Sequence, residues 1–291
     1  MKTSYPIPDP HAPETNSTRG RCALGVMIKA PRAGASKTRL VPPLTHAEAA
    51  RLSGAFLRDT AANMAEACAA HAGGGVHPVA VYTPAGAEGA FDELLPHGFA
   101  LLAQRGETFG ARLFHAAADL LRLGYESCCL IDSDSPTLPR ALLVKAVAEL
   151  GRPGDRLVLG PADDGGYYLI GLKRAHRRLF EEIAWSTGGV LAQTVGRARE
   201  ISLDVGLLPA WYDVDDAPTL RRLCDELFDA SAGVGGDSSG GGVVAACDMK
   251  LAPYPAPHTR AELARLLEGE GRARLLPASA ATTRAGGEGV A

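Results

Sequence analysis

The feature that most constrains the fold is an alternation of short apolar runs with longer segments of helical period. CALGVMIKA (22–30), VHPVAVYT (76–83), FALLAQ (99–104), CCLID (128–132), RLVLGPA (156–162) and GYYLIGL (166–172) have the length and apolar character of buried strands. Between them lie helical stretches. Thr45 to Ala70 is Ala-rich and opens on Thr45-His-Ala-Glu48, the spacing of a capping box. Residues 110–124 are amphipathic and end on Gly124, and 139–150 form a helix that Thr137 is placed to cap. Further helical segments at 174–183, 188–199 and 217–229, with a short ISLDV strand, complete the pattern. Strands and helices alternating in this way imply right-handed βαβ units: an α/β, Rossmann-like fold with a mostly parallel central sheet covered on both faces.

One domain over residues 21–230 is the simplest account of this pattern. Residues 1–20, rich in Pro, Ser and Thr, read as a flexible lead-in, and 231–257 as a Gly/Ser/Pro-rich linker. Residues 258–291 hold one short helix and a disordered tail. The net charge of −3 and the 5% aromatic content argue against a nucleic-acid partner. The six cysteines form no CxxC pair, the first twenty residues lack the apolar stretch of a secretory signal, and no apolar run is long enough to cross a bilayer. A cytoplasmic protein with no membrane insertion is expected, of unspecified oligomeric state. The scattered histidines make no zinc pattern, and no GxSxG elbow is present.

In an open parallel sheet ligands bind beyond the C-terminal ends of the strands, so the segments that follow strands carry the chemistry. The first is Lys29-Ala-Pro-Arg32-Ala-Gly34-Ala-Ser-Lys37-Thr38-Arg39-Leu40. Its cations and its Gly/Pro breaks make an anion site, although it is not a Walker loop. The second is Asp132-Ser-Asp134-Ser-Pro136, hard oxygen donors suited to Mg²⁺ or Mn²⁺ bridging phosphates. The competing reading of each Asp is a turn or a cap. The third is Asp163-Asp164-Gly165-Gly166-Tyr167. It reads either as a hairpin turn or as a place where glycines leave room for an acceptor or ribose that Asp164 contacts. The fourth is Trp211-Tyr-Asp213-Val-Asp215-Asp216. Asp213 and Asp215 alternate onto one side and are candidates to complete a metal site, while Asp216 caps the next helix. Trp185-Ser-Thr187 reads as the start of a helix, with Trp185 also able to wall a pocket.

Together these segments resemble the bacterial arsenosugar-biosynthesis-type, or radical-SAM/selenodomain-associated, glycosyltransferases. Those belong to the nucleotide-diphospho-sugar transferase superfamily, which has the GT-A fold. The likeness runs from Gly25 to Leu223 and takes in KAPRAGASKTRL, Gln104 to Arg112 with FGARL, DSDSP, GPADDGGYYLIGL, Trp185-Ser-Thr187 and WYDVDD. More distantly, the chain resembles the guanylyltransferases of 2-phospholactate and molybdenum-cofactor synthesis. The resemblance implies that Lys37 and Arg39, with Lys29, Arg32, Gly34, Thr38, Gln104 and Arg112, bind nucleotide phosphates. It implies that Asp134 holds the metal, with Asp215, Asp213 and Asp132 as further donors. It also implies an acceptor pocket of Asp164, Gly165, Gly166, Tyr167 and Trp185, with Lys37, Asp134 and Asp164 carrying the catalysis. Position 132 is usually a small residue in that family, which weakens the case for Asp132 as a ligand. The expected partners are a nucleotide or nucleotide-sugar and a small-molecule acceptor. Glycosyl transfer leads, nucleotidyl transfer from a triphosphate is the alternative, and a non-catalytic nucleotide-binding protein is a third reading.

Overall fold

A computed structural model of the chain describes residues 5–11, 18, 20–71, 75–228, 251–268 and 271–275. Seven strands form one sheet: β1 (Cys22–Lys29), β2 (Val76–Thr83), β3 (Ala100–Ala103), β4 (Ser127–Ile131), β5 (Arg156–Pro161), β6 (Tyr167–Leu172) and β7 (Asp204–Leu207). Their spatial order is β3-β2-β1-β4-β6-β5-β7. Strands β3, β2, β1 and β4 are mutually parallel, as are β5 and β7. Strand β6 runs against both its neighbours, so the sheet is mixed rather than built wholly from parallel crossovers. The reason is local. Only Ala162 to Gly166 separate β5 from β6, and a parallel crossover needs a dozen residues or more.

Helices α1 (His46–Ala69), α2 (Phe109–Arg122), α3 (Arg140–Leu150) and α4 (Val190–Glu200) cover the two faces. The period-2 pattern of β1 divides the core. Leu24, Val26 and Ile28 pack with Leu57, Met64, Leu142 and Leu143 of α1 and α3. Ala23 faces the other way, with Leu113, Ala117 and Leu120 of α2. The expected capping box of α1 forms, Thr45 Oγ1 accepting from Glu48 N while Glu48 accepts from Thr45 N. Thr137 does not cap α3; its hydroxyl donates to Tyr212 Oη, and Pro139 stands at the cap position. The 174–183 segment contains only a single 3-10 turn at Arg177–Phe180, and β7 overlaps the expected ISLDV strand at Asp204 and Val205 but starts three residues later.

A third cluster joins Leu40 and Leu44, after the basic segment, to Leu52 and Phe56 of α1. Helices α5 (Ala217–Phe228) and α6 (Pro257–Glu268) close it with Leu220, Leu223, Leu263 and Leu266. Helix α6 is fastened from outside its own sequence: Asp59 of α1 accepts from His258 N at 3.0 Å and Thr259 N at 2.6 Å, satisfying N–H groups that a helix start leaves open. A short helix α7 (Gly271–Leu275) follows. Much of the expected linker lies outside the described residues, but its last part is packed, with Tyr254 and Ala256 buried. The expected tail beyond 275 also lies outside them. At the other end, Tyr5 is buried and Pro6 O accepts from Leu101 N, so part of the N-terminal lead-in is docked beside β3. Among the described residues no helix is long and apolar enough to cross a membrane.

Candidate active site

The C-terminal ends of β1, β4 and β5 and the start of β6 meet at one edge of the sheet, and the candidate segments converge there. The loop after β1 folds on itself. Arg32 O accepts from Ala35 N and Ser36 N, Arg32 N donates to Ser36 Oγ, and Gly34 takes the left-handed conformation, φ +76°. Lys37 is also left-handed, φ 49°, an uncommon conformation for a side-chain-bearing residue. This turn sends its side chain inward to 7% exposure. Lys37 Nζ donates to Val214 O at 2.7 Å and lies 2.7 Å from Asp134 Oδ1 and 2.9 Å from Asp215 Oδ1. Burial works to lower its pKa, but the two carboxylates outweigh burial and hold it above the ordinary lysine range. All three ammonium protons are therefore engaged within the protein. Lys37 ties the carboxylates together rather than standing free to meet phosphate.

A cavity of about 360 Å³ is lined by Lys29, Lys37, Thr38, Arg39 and Arg112 together with Asp134 and Asp215, and Lys29 Nζ also donates to Ala35 O at 3.1 Å. Arg39 is 71% exposed and 3.8 Å from Asp215. Arg112 is held by the carbonyls of Gly106 and Glu107. Gln104 reaches the cavity wall, but its side-chain amide donates to Ile28 O and Val81 O, fixing the ends of β1 and β2. Arg32 and Gly34 shape the loop without lining the cavity.

Four carboxylates meet between β4 and the segment leading into α5. Asp132 Oδ1 accepts from Asp134 N at 2.9 Å, a turn that aims Asp134. Burial, with Asp134 next in effect, pushes the Asp132 carboxyl up to about 8. Asp213 is raised to about 6, again chiefly by burial and then by Asp215, Asp164 and Asp134. Val214 N donates to Asp134 O, binding the two segments, and Asp216 caps α5 through Thr219. Among the described residues no three His, Cys, Asp or Glu side chains converge closely enough to hold a metal alone. A pair does converge. Asp134 and Asp215 each place an oxygen against the same positive charge, that of Lys37. Mg²⁺ is commonly bound by one or two carboxylates plus water and substrate phosphates, so this donor pair fits such an ion.

A second cavity, about 510 Å³, adjoins the first and shares Met27, Arg39, Phe109, Asp134 and Asp215 with it. One wall is aromatic: Trp185 meets Phe109 edge-on at 5.1 Å and Tyr167 at 6.5 Å. Trp185 thus walls the pocket, and Gly110 is what admits it, since a Cβ there would fall 2.7 Å from the indole Nε1. The Asp163–Gly166 turn is a hairpin turn and also part of this wall. Asp164 Oδ1 accepts from Gly166 N, while Asp163 is engaged by Arg222. Gly165 (φ +87°) serves packing more than ligand space, because a Cβ would lie 2.2 Å from Gly188 O. Ser186 is left-handed and Trp185-Ser-Thr187 does not start a helix: α4 begins at Val190 behind Gly189, and Gly188, which sits against Gly165, had only the Ser-Thr-Gly-Gly run as its signal.

A profile of the family described as DUF2064, uncharacterized proteins conserved in bacteria, matches residues 62–187. A Desulfovibrio desulfuricans G20 protein, provisionally described as a nucleotide-diphospho-sugar transferase, is 31% identical. It aligns over 73% of this chain and 90% of its own, with a TM-score of 0.64. This chain belongs to the DUF2064 family. Two further solved structures are more distant from this DUF2064 chain. The Anaerococcus prevotii DSM 20548 4-diphosphocytidyl-2C-methyl-D-erythritol synthase is 10% identical, with a TM-score of 0.44 over 67% of this chain and 91% of its own. The Mycobacterium tuberculosis H37Rv protein Rv0371C, solved in complex with manganese, is 20% identical, with a TM-score of 0.40 over 71% of this chain and 98% of its own. No curated protein matches the chain. The profile match takes in Asp134, Asp164 and Trp185, and ends before the Asp213–Asp215 segment of this DUF2064 chain.

Proposed function

We propose that this chain is a metal-dependent transferase that moves a glycosyl group from a nucleotide-diphospho-sugar to a small-molecule acceptor. The observation that carries this reading is the pair of adjoining cavities with opposite character. One is rimmed by Lys29, Arg39 and Arg112; the other is walled by carboxylates and aromatic rings; Asp134 and Asp215 stand at their junction.

In this reading Lys29, Arg39 and Arg112 hold the diphosphate, and Lys37 fixes the two carboxylates that would bind Mg²⁺ or Mn²⁺. The metal, when bound, neutralises charge on the departing diphosphate. The acceptor oxygen forms a bond to the anomeric carbon while the bond from that carbon to the diphosphate oxygen breaks. The nucleoside diphosphate leaves with the electron pair, and Asp164, on the exposed turn, takes the hydroxyl proton. Placement and fixed charge supply most of the rate enhancement.

Three cations around one cavity also favour a second reading, nucleotidyl transfer from a triphosphate with release of pyrophosphate. A thermal-shift panel of nucleoside triphosphates and nucleotide-sugars, with and without Mg²⁺ or Mn²⁺, separates the two. The expected result is a metal-dependent shift with one diphosphate sugar, lost in Asp134→Ala with the fold intact. A shift with triphosphates alone transfers the assignment to nucleotidyl transfer.

A further inference from the structure

The two cavities differ in charge far more than two parts of one anion site would. Three cations, Lys29, Arg39 and Arg112, line the first, where Asp134 and Asp215 are the only carboxylates among the lining residues. In the second, Asp134, Asp164, Asp213 and Asp215 face a single guanidinium, that of Arg39, which sits on the shared boundary. Lys37 already balances Asp134 and Asp215 from behind. A divalent cation at that pair would still leave Asp164 and Asp213 facing the space.

Carboxylates accept hydrogen bonds from hydroxyl and ammonium groups and repel anions. Opposite them stand apolar rings. Phe109, at the start of α2, is 50% exposed and edge-packed on Trp185, leaving aromatic surface open to the cavity. Convergent polar acceptors on one side and an apolar wall on the other are the two halves of a pocket for a small organic molecule.

We propose that the second cavity selects an acceptor without phosphate or carboxylate: an uncharged or cationic, hydroxyl-bearing molecule with an apolar face. This inference rests on the transferase reading above and adds the chemical class of its second substrate. It also separates the two reactions on offer. A phosphate or phosphonate nucleophile, which guanylyl-type transfer requires, would enter this cavity against its charge.

The test uses two probes with the same aromatic body, phenyl β-D-glucoside and phenyl phosphate. Binding is read on the full chain, labelled with 5-fluorotryptophan, from the ¹⁹F resonance of Trp185. Trp211→Phe identifies that resonance. Reading at Trp185 keeps apart any phosphate held only in the basic cavity. The glucoside is expected to move the signal at concentrations about tenfold lower than the phosphate or better, a difference of about 1.4 kcal/mol. Asp164→Lys, on an exposed turn, is expected to shrink or invert that ratio. Asp164→Asn, which can still accept from Gly166 N, should leave most of it. Equal or tighter binding of the phosphate, or no response to either probe, overturns the inference. If nucleotide still stabilises the protein in a metal-dependent way, the transferase reading survives that result. Failure of every nucleotide to bind overturns the reading and the inference with it.

Discussion

Replacing Lys37 by Met tests the central electrostatic arrangement. The thioether keeps most of the apolar stem over the Phe56 ring, where the ammonium now sits 5.6 Å from the centroid, and removes only the charge and its donors. Three contacts vanish together, to Val214 O, Asp134 and Asp215. Breaking a buried ion pair by removing one partner costs ~3–5 kcal/mol because the other charge is stranded. Here the stranded carboxylates are 37% and 40% exposed, so water screens part of that cost. A loss of about 1.5–3 kcal/mol is the discounted expectation. Urea unfolding at neutral pH, followed by circular dichroism, measures it. Repeating the titration with Mn²⁺ gives the sharper result. With the ammonium gone, a divalent ion inherits both carboxylates, so the variant should gain more stability from Mn²⁺ than the native chain does. A variant as stable as the native chain, with the same metal response in both, would refute the idea that Lys37 holds the place of a cation.

Further outcomes follow from other parts of the fold. Gly165→Ala forces a Cβ toward Gly188 O from a left-handed backbone and should destabilise by about 2–3 kcal/mol in the same unfolding assay. Leu263→Ala, at a fully buried position in the third cluster, should cost ~2–5 kcal/mol by thermal or chemical unfolding. Glu48 is held down to about 2, from 4.5, first by its hydrogen bonds to Arg274. A carboxyl with a depressed folded-state pKa stabilises above its unfolded value and loses that contribution as pH falls. Glu48→Gln should therefore cost on the order of 1 kcal/mol at neutral pH. Its stability difference from the native chain should close between about pH 4.5 and pH 2.

The strands and the long helices were legible because burial imposes a period. Leu24, Val26 and Ile28 alternate with Ala23 whatever the rest of the chain does. The capping box at Thr45 and the Asp216 cap were legible because each is a contact across three residues. Reversal of β6 was implicit in the Asp-Asp-Gly-Gly turn, since a turn that short admits only an antiparallel return. What stayed hidden depends on distant partners. Nothing near Lys37 says that it, among the cations of its loop, turns inward, because the groups that draw it in lie as far away as Asp215, 178 residues along the chain. The docking of α6 was invisible for the same reason, its cap being Asp59, about 200 residues earlier. Trp185 could be read as a pocket wall or as part of a helix start until Gly110, on another element, was seen to make room for it.

The third hydrophobic cluster gives α6 a reach beyond its own stability. Leu40 and Leu44, which anchor the end of the basic loop, pack in the same cluster as Leu263 and Leu266. Loosening α6 therefore lowers the cost of fraying the loop that presents Arg39. Substitutions in a helix whose side chains line neither cavity of the site are accordingly expected to register as changes in nucleotide affinity. Stability and ligand response in this chain should rise and fall together along that route, whereas changes where Tyr5 and Pro6 dock beside the start of β3 should alter stability alone.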